Sequence, residues 1–297
     1  MGDYRFYLDR VLTKKKKQKV GFLLNEFPNA SAGFSVRQLL SNYTGSCIRV
    51  VRVIDSVEKD IGFSDGLINV NDIESFANGT EVRVIRWYDQ IDDNNFLEPN
   101  SIPNAPSITN LDGIVYKENN IPAIFYNGIG GSSQGFNLRS GSPRRVTSND
   151  FTTSIVAKIN PISADQYILI QGIAQRLNSN ILFAESNDNN YFSFGYHIDA
   201  TVTIPTTIEN NGNQKNIITQ GFNNSVMFHV NNHSELIIQN LPENISINTS
   251  DRLSVGSAGN IRSVMNGMMQ EVVVFDYDIA GNIQKYKDNT NSYFNIY

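Results

Sequence analysis

Short apolar segments separated by turn residues fill the second half of this chain. From residue 151 onward they are rich in β-branched and aromatic residues, and asparagine-rich stretches such as 187–190 and 210–213 lie between them. Many short strands at near-regular spacing are typical of a β-sandwich or barrel. We therefore predict an all-β fold with strands at 151–159, 167–173, 180–185, 191–196, 202–204, 216–220, 225–230, 235–239, 252–256 and 268–276.

The first half of the chain has a more mixed pattern. Residues 47–54 and 82–87 are apolar and β-branched, which predicts two strands, and 71–77 fits a short helix. Helical turns are also predicted from the spacing of Phe34, Val36, Leu39 and Leu40. Residues 92–110 are polar and contain three prolines, so we expect a long loop, and such loops are often functional. Residues 282–297 are expected to form a terminal helix or coil.

Composition limits the classes of function. The chain has 297 residues, 40% hydrophobic and 18% charged, which suits one large globular domain. Its net charge of −5 and pI near 5.3 argue against a nucleic-acid-binding protein. The single cysteine, Cys47, excludes an intrachain disulfide and is expected to be a buried small hydrophobe.

The N-terminal segment, residues 1–21, differs from the rest of the chain. No signal peptide or bilayer-spanning stretch is expected, because the apolar run after the lysine-rich residues is short. An amphipathic helix is predicted from the spacing of Tyr4, Tyr7, Leu8, Val11 and Leu12. A helix this short needs a partner surface, so it is either an anchor that docks on another protein or a solvated terminus. A membrane-surface helix is a third alternative.

Several motifs in order carry a resemblance to a known family. They read Phe34-Ser35-Val36-Arg37, Asn42-Tyr43-Thr44-Gly45, Ile48-Arg49-Val50, Asp60-Ile61-Gly62-Phe63 and Trp87-Tyr88-Asp89-Gln90. This series resembles the concanavalin-A-like (laminin-G-like) jelly-roll module of bacteriophage tail and virion proteins. That module is distantly similar to the catalytic domain of α-L-arabinofuranosidase B. The chain departs from the family pattern after Gln90, where Ile91-Asp92-Asp93 replaces Ser-Gly.

The resemblance implies a fold and a domain division. We expect a concanavalin-A-like jelly-roll β-sandwich over residues 22–297, with a few short helices and a short N-terminal extension. The arabinofuranosidase relatives carry adjacent cysteines in a disulfide, which this sequence lacks.

Catalytic residues are not predicted from the sequence, and an enzyme is the less favoured interpretation. Glycoside hydrolysis generally needs two carboxylates. None of the acids matches the arabinofuranosidase catalytic pair; those considered are Asp89, Asp92, Asp93, Glu98, Glu185, Asp188, Asp199, Glu271 and Asp276. The three histidines are not spaced as zinc ligands, and no phosphate-binding loop is present.

Glycan binding is the better-motivated activity, since sugars are held by aromatic faces and planar polar side chains. The candidates are Trp87, Tyr88, Asp89, Asn187, Asp188, Asn189 and Tyr191. Each has a structural alternative: core packing for the two aromatics at 87 and 88, a structural carboxylate for Asp89, and an ordinary hairpin turn for the loop. The loop oxygens are also of the type that Ca²⁺ prefers, and no other cofactor is expected.

The sequence and the resemblance together predict a bacteriophage virion structural protein of the tail, baseplate or head fibre that adheres to host glycan. Made in the host cytoplasm, it would contact other virion proteins through its N-terminal segment. A homotrimer is suggested by analogy alone. Two alternatives stay open: a glycoside hydrolase of arabinofuranosidase type, and a purely architectural virion module without a ligand.

Overall fold

The computed structural model describes residues 21–92, 94–128, 138–140, 150–160, 166–171, 180–185, 191–198, 201–209, 215–223, 226–232, 235–240, 253–257 and 265–297. The predicted N-terminal helix with Tyr4, Tyr7, Leu8, Val11 and Leu12 lies outside these residues. The described strands are β1 (Ala30–Ser35), β2 (Ile48–Arg52), β3 (Glu58–Ile61), β4 (Phe63–Ser64), β5 (Leu67–Ile68), β6 (Val82–Tyr88), β7 (Phe96–Glu98), β8 (Lys117–Glu118), β9 (Ile121–Pro122), β10 (Ile124–Asn127), β11 (Leu138–Ser140), β12 (Phe151–Ile159), β13 (Gln166–Gln171), β14 (Asn180–Glu185), β15 (Tyr191–Ile198), β16 (Thr201–Glu209), β17 (Lys215–Asn223), β18 (Val226–Asn231), β19 (Ile237–Asn240), β20 (Leu253–Val255) and β21 (Asn266–Phe275). The helices are α1 (Leu23–Glu26), α2 (Val70–Ala77) and α3 (Ile283–Phe294), with short 3₁₀ turns at Ile102–Asn104 and Ala280–Asn282.

Two large antiparallel sheets form the framework. One has seven described strands in the order β1-β21-β12-β17-β18-β19, with β10 also paired to β21. The other has ten, in the order β16-β15-β14-β13-β20-β11-β7-β6-β2-β3. The prediction of an all-β jelly-roll-type sandwich with a few short helices is therefore confirmed.

The hydrophobic core lies between the two sheets. Phe34 of β1 and Trp87 of β6 come from different sheets, and their ring centroids are 6.1 Å apart. Both side chains are buried in one continuous apolar cluster. Each strand of the two sheets turns alternate side chains toward this core. That alternation of apolar and polar side chains fixes the register of a half-buried strand.

The outer face of the seven-stranded sheet is covered by α3. Tyr286 of this helix packs edge-on against Phe275 of β21, with ring centroids 6.0 Å apart. Thr290 and Phe294, farther along the helix, are also buried. Polar side chains of this sheet face are therefore shielded from water, in contrast to the β6–β2–β3 end of the ten-stranded sheet.

Most predicted elements are confirmed, with small shifts at their ends. The strands predicted at 151–159 and 180–185 have the observed bounds of β12 and β14. The predicted helix at 71–77 is α2, which begins one residue earlier; the Asn69 side chain caps it by accepting a hydrogen bond from the backbone N–H of Asp72 at 3.2 Å.

Two predictions about local structure are wrong or incomplete. Residues 34–40 do not form helical turns: Phe34 lies in β1, which pairs with β21, and Val36 donates its backbone N–H to the carbonyl of Gln270 at 3.0 Å. The expected loop at 92–110 contains β7 and one 3₁₀ turn. In the first case long-range strand pairing overrides the local apolar spacing. Within the described ranges, no helix has the length and apolar character needed to cross a bilayer.

Candidate functional site

The structure separates the three adjacent glycan-binding candidates at the end of β6. Trp87 is 0% exposed and packs in the core against Phe34, and Asp89 is also 0% exposed. Neither side chain reaches a surface that a glycan can contact, so the structural alternatives describe these two residues. Tyr88 points to the other side of the sheet and is half-buried, and its role in glycan binding stays a prediction.

Asp89 and Gln90 hold a turn together. Oδ1 of Asp89 accepts hydrogen bonds from the backbone N–H groups of Gly33 and Ile91, both at 2.9 Å. The Gln90 side chain bonds the backbone within residues 35–39, accepting one N–H at 2.7 Å and donating to two carbonyls at 2.8 and 3.1 Å. These buried bonds join β1 to the end of β6, which gives the Asp-Gln pair a structural function.

The second group of candidates cannot be placed. Asn187, Asp188 and Asn189 lie outside the described residues, and Tyr191 begins β15, whose backbone pairs with β14. In the part of the chain that the structure describes, no group of three or more His, Cys, Asp or Glu side chains is placed to hold a metal ion. The Ca²⁺ alternative for this loop stays a prediction.

Charged side chains instead gather on the outer face of β7, β6, β2 and β3. Strand register places Arg86 opposite Arg49, and Arg49 opposite Asp60. On the other side of β6, Trp87 pairs with Leu97 of β7. The next residues along these two antiparallel strands are Arg86 and Glu98, so the same register places them side by side. Since side chains on one face of neighbouring strands are in contact range, these residues form one continuous row.

A β-bulge in β6 creates a depression under this row. Arg86 pairs with Arg49 and Val84 with Val50, so Ile85 is an extra residue in β6. At this point the neighbour of β6 changes from β7 to the backbone of Ser107. The loop that connects β7 to Ser107 closes one side of a pocket of about 210 Å³, whose lining is Arg49, Glu58, Ile85, Arg86, Glu98, Pro99, Ser101 and Ile102.

Part of the charge at this pocket is neutralised internally. Arg49 binds Asp60 through Nε at 2.9 Å and Nη2 at 2.6 Å. Tyr88 donates its hydroxyl to Oδ1 of Asp60 at 2.8 Å. The Arg49 guanidinium, followed by the Tyr88 hydroxyl, lowers the pKa of the Asp60 carboxyl, while burial and the bond to Asp60 raise the pKa of Tyr88.

Three further charged side chains of the pocket form no close ion pair, although Arg86 hydrogen-bonds the Tyr88 side chain and attracts Asp60, and Glu58 attracts Arg49. The guanidinium of Arg86 lies over the Phe96 ring, 4.3 Å from its centroid. Among the residues that the structure describes, neither Arg86 nor Glu58 nor Glu98 forms an ion pair. Two unpaired carboxylates and one guanidinium around a small pocket can transfer protons and bind a polar ligand.

A second pocket has a less suitable set of side chains. It has a volume of about 320 Å³ and lies between α3 and the β18–β19 edge. Lys287 lines it, and burial lowers the pKa of this amine. Glu235 is the one carboxylate side chain in its described lining, so a reaction that needs two carboxylates does not suit this place.

Sequence reasoning missed the combination of Arg86, Glu58 and Glu98. Glu98 was one of nine acids considered as catalytic residues, and none of them was selected. The loop at 92–110 was described as the kind that is often functional, but no residue in it was proposed to act. Of the three, only Arg86 lies on a predicted strand; Glu98 lies in the expected loop, and Glu58 lies outside every predicted element. Their common face, however, depends on strand pairing and on the bulge at Ile85.

Comparisons with known proteins place this architecture. No family model and no curated protein matches the chain. Among solved structures, a GH54 α-L-arabinofuranosidase soaked with a cyclic sulfate inhibitor is similar, with a TM-score of 0.65 and 13% identity over 91% of this chain. An arabinofuranosidase complexed with arabinofuranosyl-α-1,2-xylobiose gives 0.66 and 12%, also over 91%. The chain spans 64% of the length of both.

These similarities show the fold and correct the predicted function. The expected distant likeness to arabinofuranosidase is confirmed as a shared β-sandwich architecture. The prediction of a bacteriophage virion protein with host-glycan adhesion is contradicted, because solved structures that are similar over 91% of this chain are arabinofuranosidases.

Proposed function

We propose that this protein is a glycoside hydrolase that acts on α-L-arabinofuranosides. The observation that carries the proposal is similarity to arabinofuranosidases over 91% of the chain. One of these was soaked with 4-nitrophenyl α-L-arabinofuranoside, which identifies a first substrate to test. The pocket of about 210 Å³ with two unpaired carboxylates supports the same reaction class.

Glu98 is the proposed proton donor of the reaction. It is half-buried on β7, beside Pro99 and Ile102 in the wall of the pocket. A carboxyl group in the wall of the pocket can reach and protonate the glycosidic oxygen as the bond to the leaving group breaks. No ion pair within the described chain holds its oxygens away from a substrate.

Glu58 is the proposed second carboxylate, which assists attack at the anomeric carbon. It lies on β3, at the opposite side of the pocket from Glu98. Strands β6 and β2 separate the two residues. Three strand spacings of about 4.8 Å put their backbones about 14 Å apart, which leaves room for a sugar ring between two inclined side chains.

Release of nitrophenol from 4-nitrophenyl α-L-arabinofuranoside tests the proposal. We expect hydrolysis by the wild-type protein and a loss of at least about 100-fold in kcat/KM for Glu98→Gln and for Glu58→Gln, the usual contribution of a positioned acid or base. Glu235→Gln is the matched control, since Glu235 lines the other pocket and its replacement should leave the rate unchanged.

Three outcomes separate the parts of this proposal. Absence of hydrolysis of this substrate and of arabinoxylan by the folded wild-type protein would overturn the function. Hydrolysis that survives both pocket substitutions would place the reaction elsewhere in the chain. Circular dichroism and urea unfolding of each variant show whether a lost rate reflects chemistry or a lost fold.

A further inference from the structure

We propose that a groove between α3 and the edge of the seven-stranded sheet binds residues 4–12 of the same chain, as a second helix alongside α3. The groove is the pocket of about 320 Å³ between α3 and the β18–β19 edge. It lies on a different sheet from the candidate catalytic pocket, so docking there is independent of the proposed hydrolase activity.

The last two strands of the seven-stranded sheet lie beyond α3. The helix contacts β21 through the rings of Tyr286 and Phe275, and β17 through the bond from Lys215 to the carbonyl of Phe294. Strands β18 and β19 follow β17 in the sheet. Two strand spacings of about 4.8 Å equal the separation of about 8–10 Å between packed helices, so a second helix beside α3 would lie over these two strands.

The groove has apolar residues that continue to the edge of the sheet. Val230 of β18, Leu236 and Ile283 of α3 line it. Ile238 of β19 pairs with Phe228, which lies two residues from Val230, so Ile238 points to the same side of the sheet. Ile238 is 61% exposed. A partner that fills the groove and covers Ile238 would remove this apolar surface from water, which is favourable.

The first described residue lies beside α3, within reach of the groove. The carbonyl of Gly21 accepts a hydrogen bond from Nδ2 of Asn289 at 3.1 Å. Lys287, two residues earlier on the helix, lines the groove, so Gly21 and the groove lie on different sides of α3. Residues 13–20 can extend over roughly 26–29 Å, more than twice the helix diameter of about 10–12 Å. They are long enough to cross α3 and bring residues 4–12 to the groove.

The pattern of residues 4–12 fits such a surface. Their spacing predicts a helix with one apolar side formed by Tyr4, Tyr7, Leu8, Val11 and Leu12. A helix of this length is marginal alone in water and needs an apolar surface to form. A segment tethered this closely has an effective concentration on the order of mM, which favours the groove of its own chain over that of a second copy.

The linker between the segment and Gly21 carries five lysines, at positions 14–17 and 19. The charged side chains of α1, α3 and the groove comprise three acids and two lysines, a net charge of −1: Glu26, Glu235, Asp288, Lys285 and Lys287. Glu26 also pairs with Lys285 at 3.6 Å. The lysine-rich linker therefore meets no net repulsion as it crosses α3.

Photo-crosslinking of the full chain locates the segment. Tyr4 is replaced by p-benzoylphenylalanine, a photoreactive aromatic residue, and the cross-linked peptides are identified by mass spectrometry. We expect cross-links to residues 230–238 and 283–287. The matched control has the same probe in place of Phe6, which lies on the opposite side of the predicted helix, and should lose most of these cross-links.

Hydrogen exchange measures whether the groove holds the segment. Ile238→Asp places a charge on the apolar surface, and we expect the amides of residues 4–12 to exchange at least about tenfold faster than in the wild type. Ile54→Asp is the matched control, since Ile54 is 74% exposed on the turn after β2 in the other sheet. Its replacement should leave these amides unchanged. Urea unfolding checks that both variants keep the fold.

Three results would overturn the proposal. The first is exchange of residues 4–12 in the wild type as fast as in an isolated peptide of the same sequence. The second is cross-linking from Tyr4 to surfaces away from α3 and β19, or equal cross-linking from Phe6. The third is cross-linking between ¹⁴N- and ¹⁵N-labelled chains mixed in equal amounts, which would make the groove a contact with a second copy.

Discussion

Two groups of arginine and glutamate lie on the outer faces of the two sheets, and they differ in whether their charges are matched. Under α3, Arg37 binds Glu271 through Nε at 2.7 Å and Nη2 at 2.9 Å, and both residues are buried. Asn289 accepts a further bond from Arg37 at 3.0 Å. Around the β6 bulge, Arg86 and Glu98 lie on adjacent strands without forming an ion pair.

The difference follows from the surroundings of each group. A helix covers Arg37 and Glu271, so neither charge is hydrated, and only full pairing makes their burial tolerable. Water reaches the side chains of the pocket, of which Glu58 is exposed and Arg86 and Glu98 are half-buried, and stabilises their charges. Charges paired under a helix join parts of the fold, while charges in a depression that form no close ion pair are open to water and to a ligand. The predictions below test this division.

Breaking the matched pair should have the largest effect. Glu271→Gln would leave the buried guanidinium of Arg37 without its counter-charge, and also weaken the 2.8 Å bond that Ser35 donates to Glu271. We expect a loss of about 3–5 kcal/mol in the free energy of unfolding, the usual cost of an uncompensated buried charge. Urea unfolding followed by tryptophan fluorescence measures it.

Two further variants sharpen the comparison. Replacing both partners, Arg37→Met with Glu271→Leu, should recover a large part of that loss, since no unpaired charge is then buried. Glu98→Gln should change stability by less than about 1 kcal/mol. A Glu271→Gln protein as stable as the wild type would mean that the matched pair contributes nothing to holding α3.

Removal of a buried carboxylate that binds backbone N–H groups should have the second-largest effect on stability. Asp89→Ala would leave the N–H groups of Gly33 and Ile91 without their acceptor inside the protein. Each buried unsatisfied donor costs about 1–3 kcal/mol, so we expect a total loss of about 2–4 kcal/mol in urea unfolding. Asp92→Ala, at an exposed turn nearby, is the control and should cost less than about 1 kcal/mol.

A buried cation held by carbonyl oxygens should respond to pH. Lys215 donates to the carbonyl of Phe294 at 2.6 Å, at the end of α3, and burial lowers the pKa of this amine to about 8 despite the nearby Glu118. Between about pH 8 and the unfolded value of about 10.4, the unfolded state binds more protons, so stability should rise with pH. We expect a rise of roughly 3 kcal/mol across this window, since each pKa unit is worth about 1.4 kcal/mol.

The matched experiment is the same pH series on Lys215→Met. Its stability should lack the rise attributed to Lys215, while the ionisation of other groups affects both proteins equally. Parallel curves for the two proteins would show that the amine keeps an ordinary pKa. Arg37, whose partner is a carboxylate, should produce no such dependence in this range, because it stays charged.

The fold could be predicted from the sequence because its signals are local. Alternating apolar residues and asparagine-rich turns give the bounds of β12 and β14, and a capping asparagine marks α2. The prediction of helical turns at residues 34–40 was wrong for the opposite reason. Their apolar spacing suits either a helix or a strand, and the pairing of β1 with β21, far away in the sequence, decides between them.

The candidate site could not be predicted because one extra residue reverses the faces of β6. Strict alternation from the buried Val82 and Val84 would turn Arg86 inward and Trp87 outward, where an aromatic ring could bind sugar. The bulge at Ile85 shifts the pattern by one residue. Trp87 therefore enters the core and Arg86 reaches the pocket, an exchange that no local propensity reveals.

The smallest effect is expected at Arg86 itself, and it decides whether the comparison holds. Arg86→Gln removes the stacking contact with Phe96, worth about 0.5–1 kcal/mol, and the attraction to Tyr88 and Asp60, but also the repulsion from Arg49 on the neighbouring strand. We expect these effects to offset each other to within about 0.5 kcal/mol in urea unfolding. A loss above about 2 kcal/mol would make Arg86 a structural residue like Arg37, since a partly exposed charge in a pocket should cost little to remove.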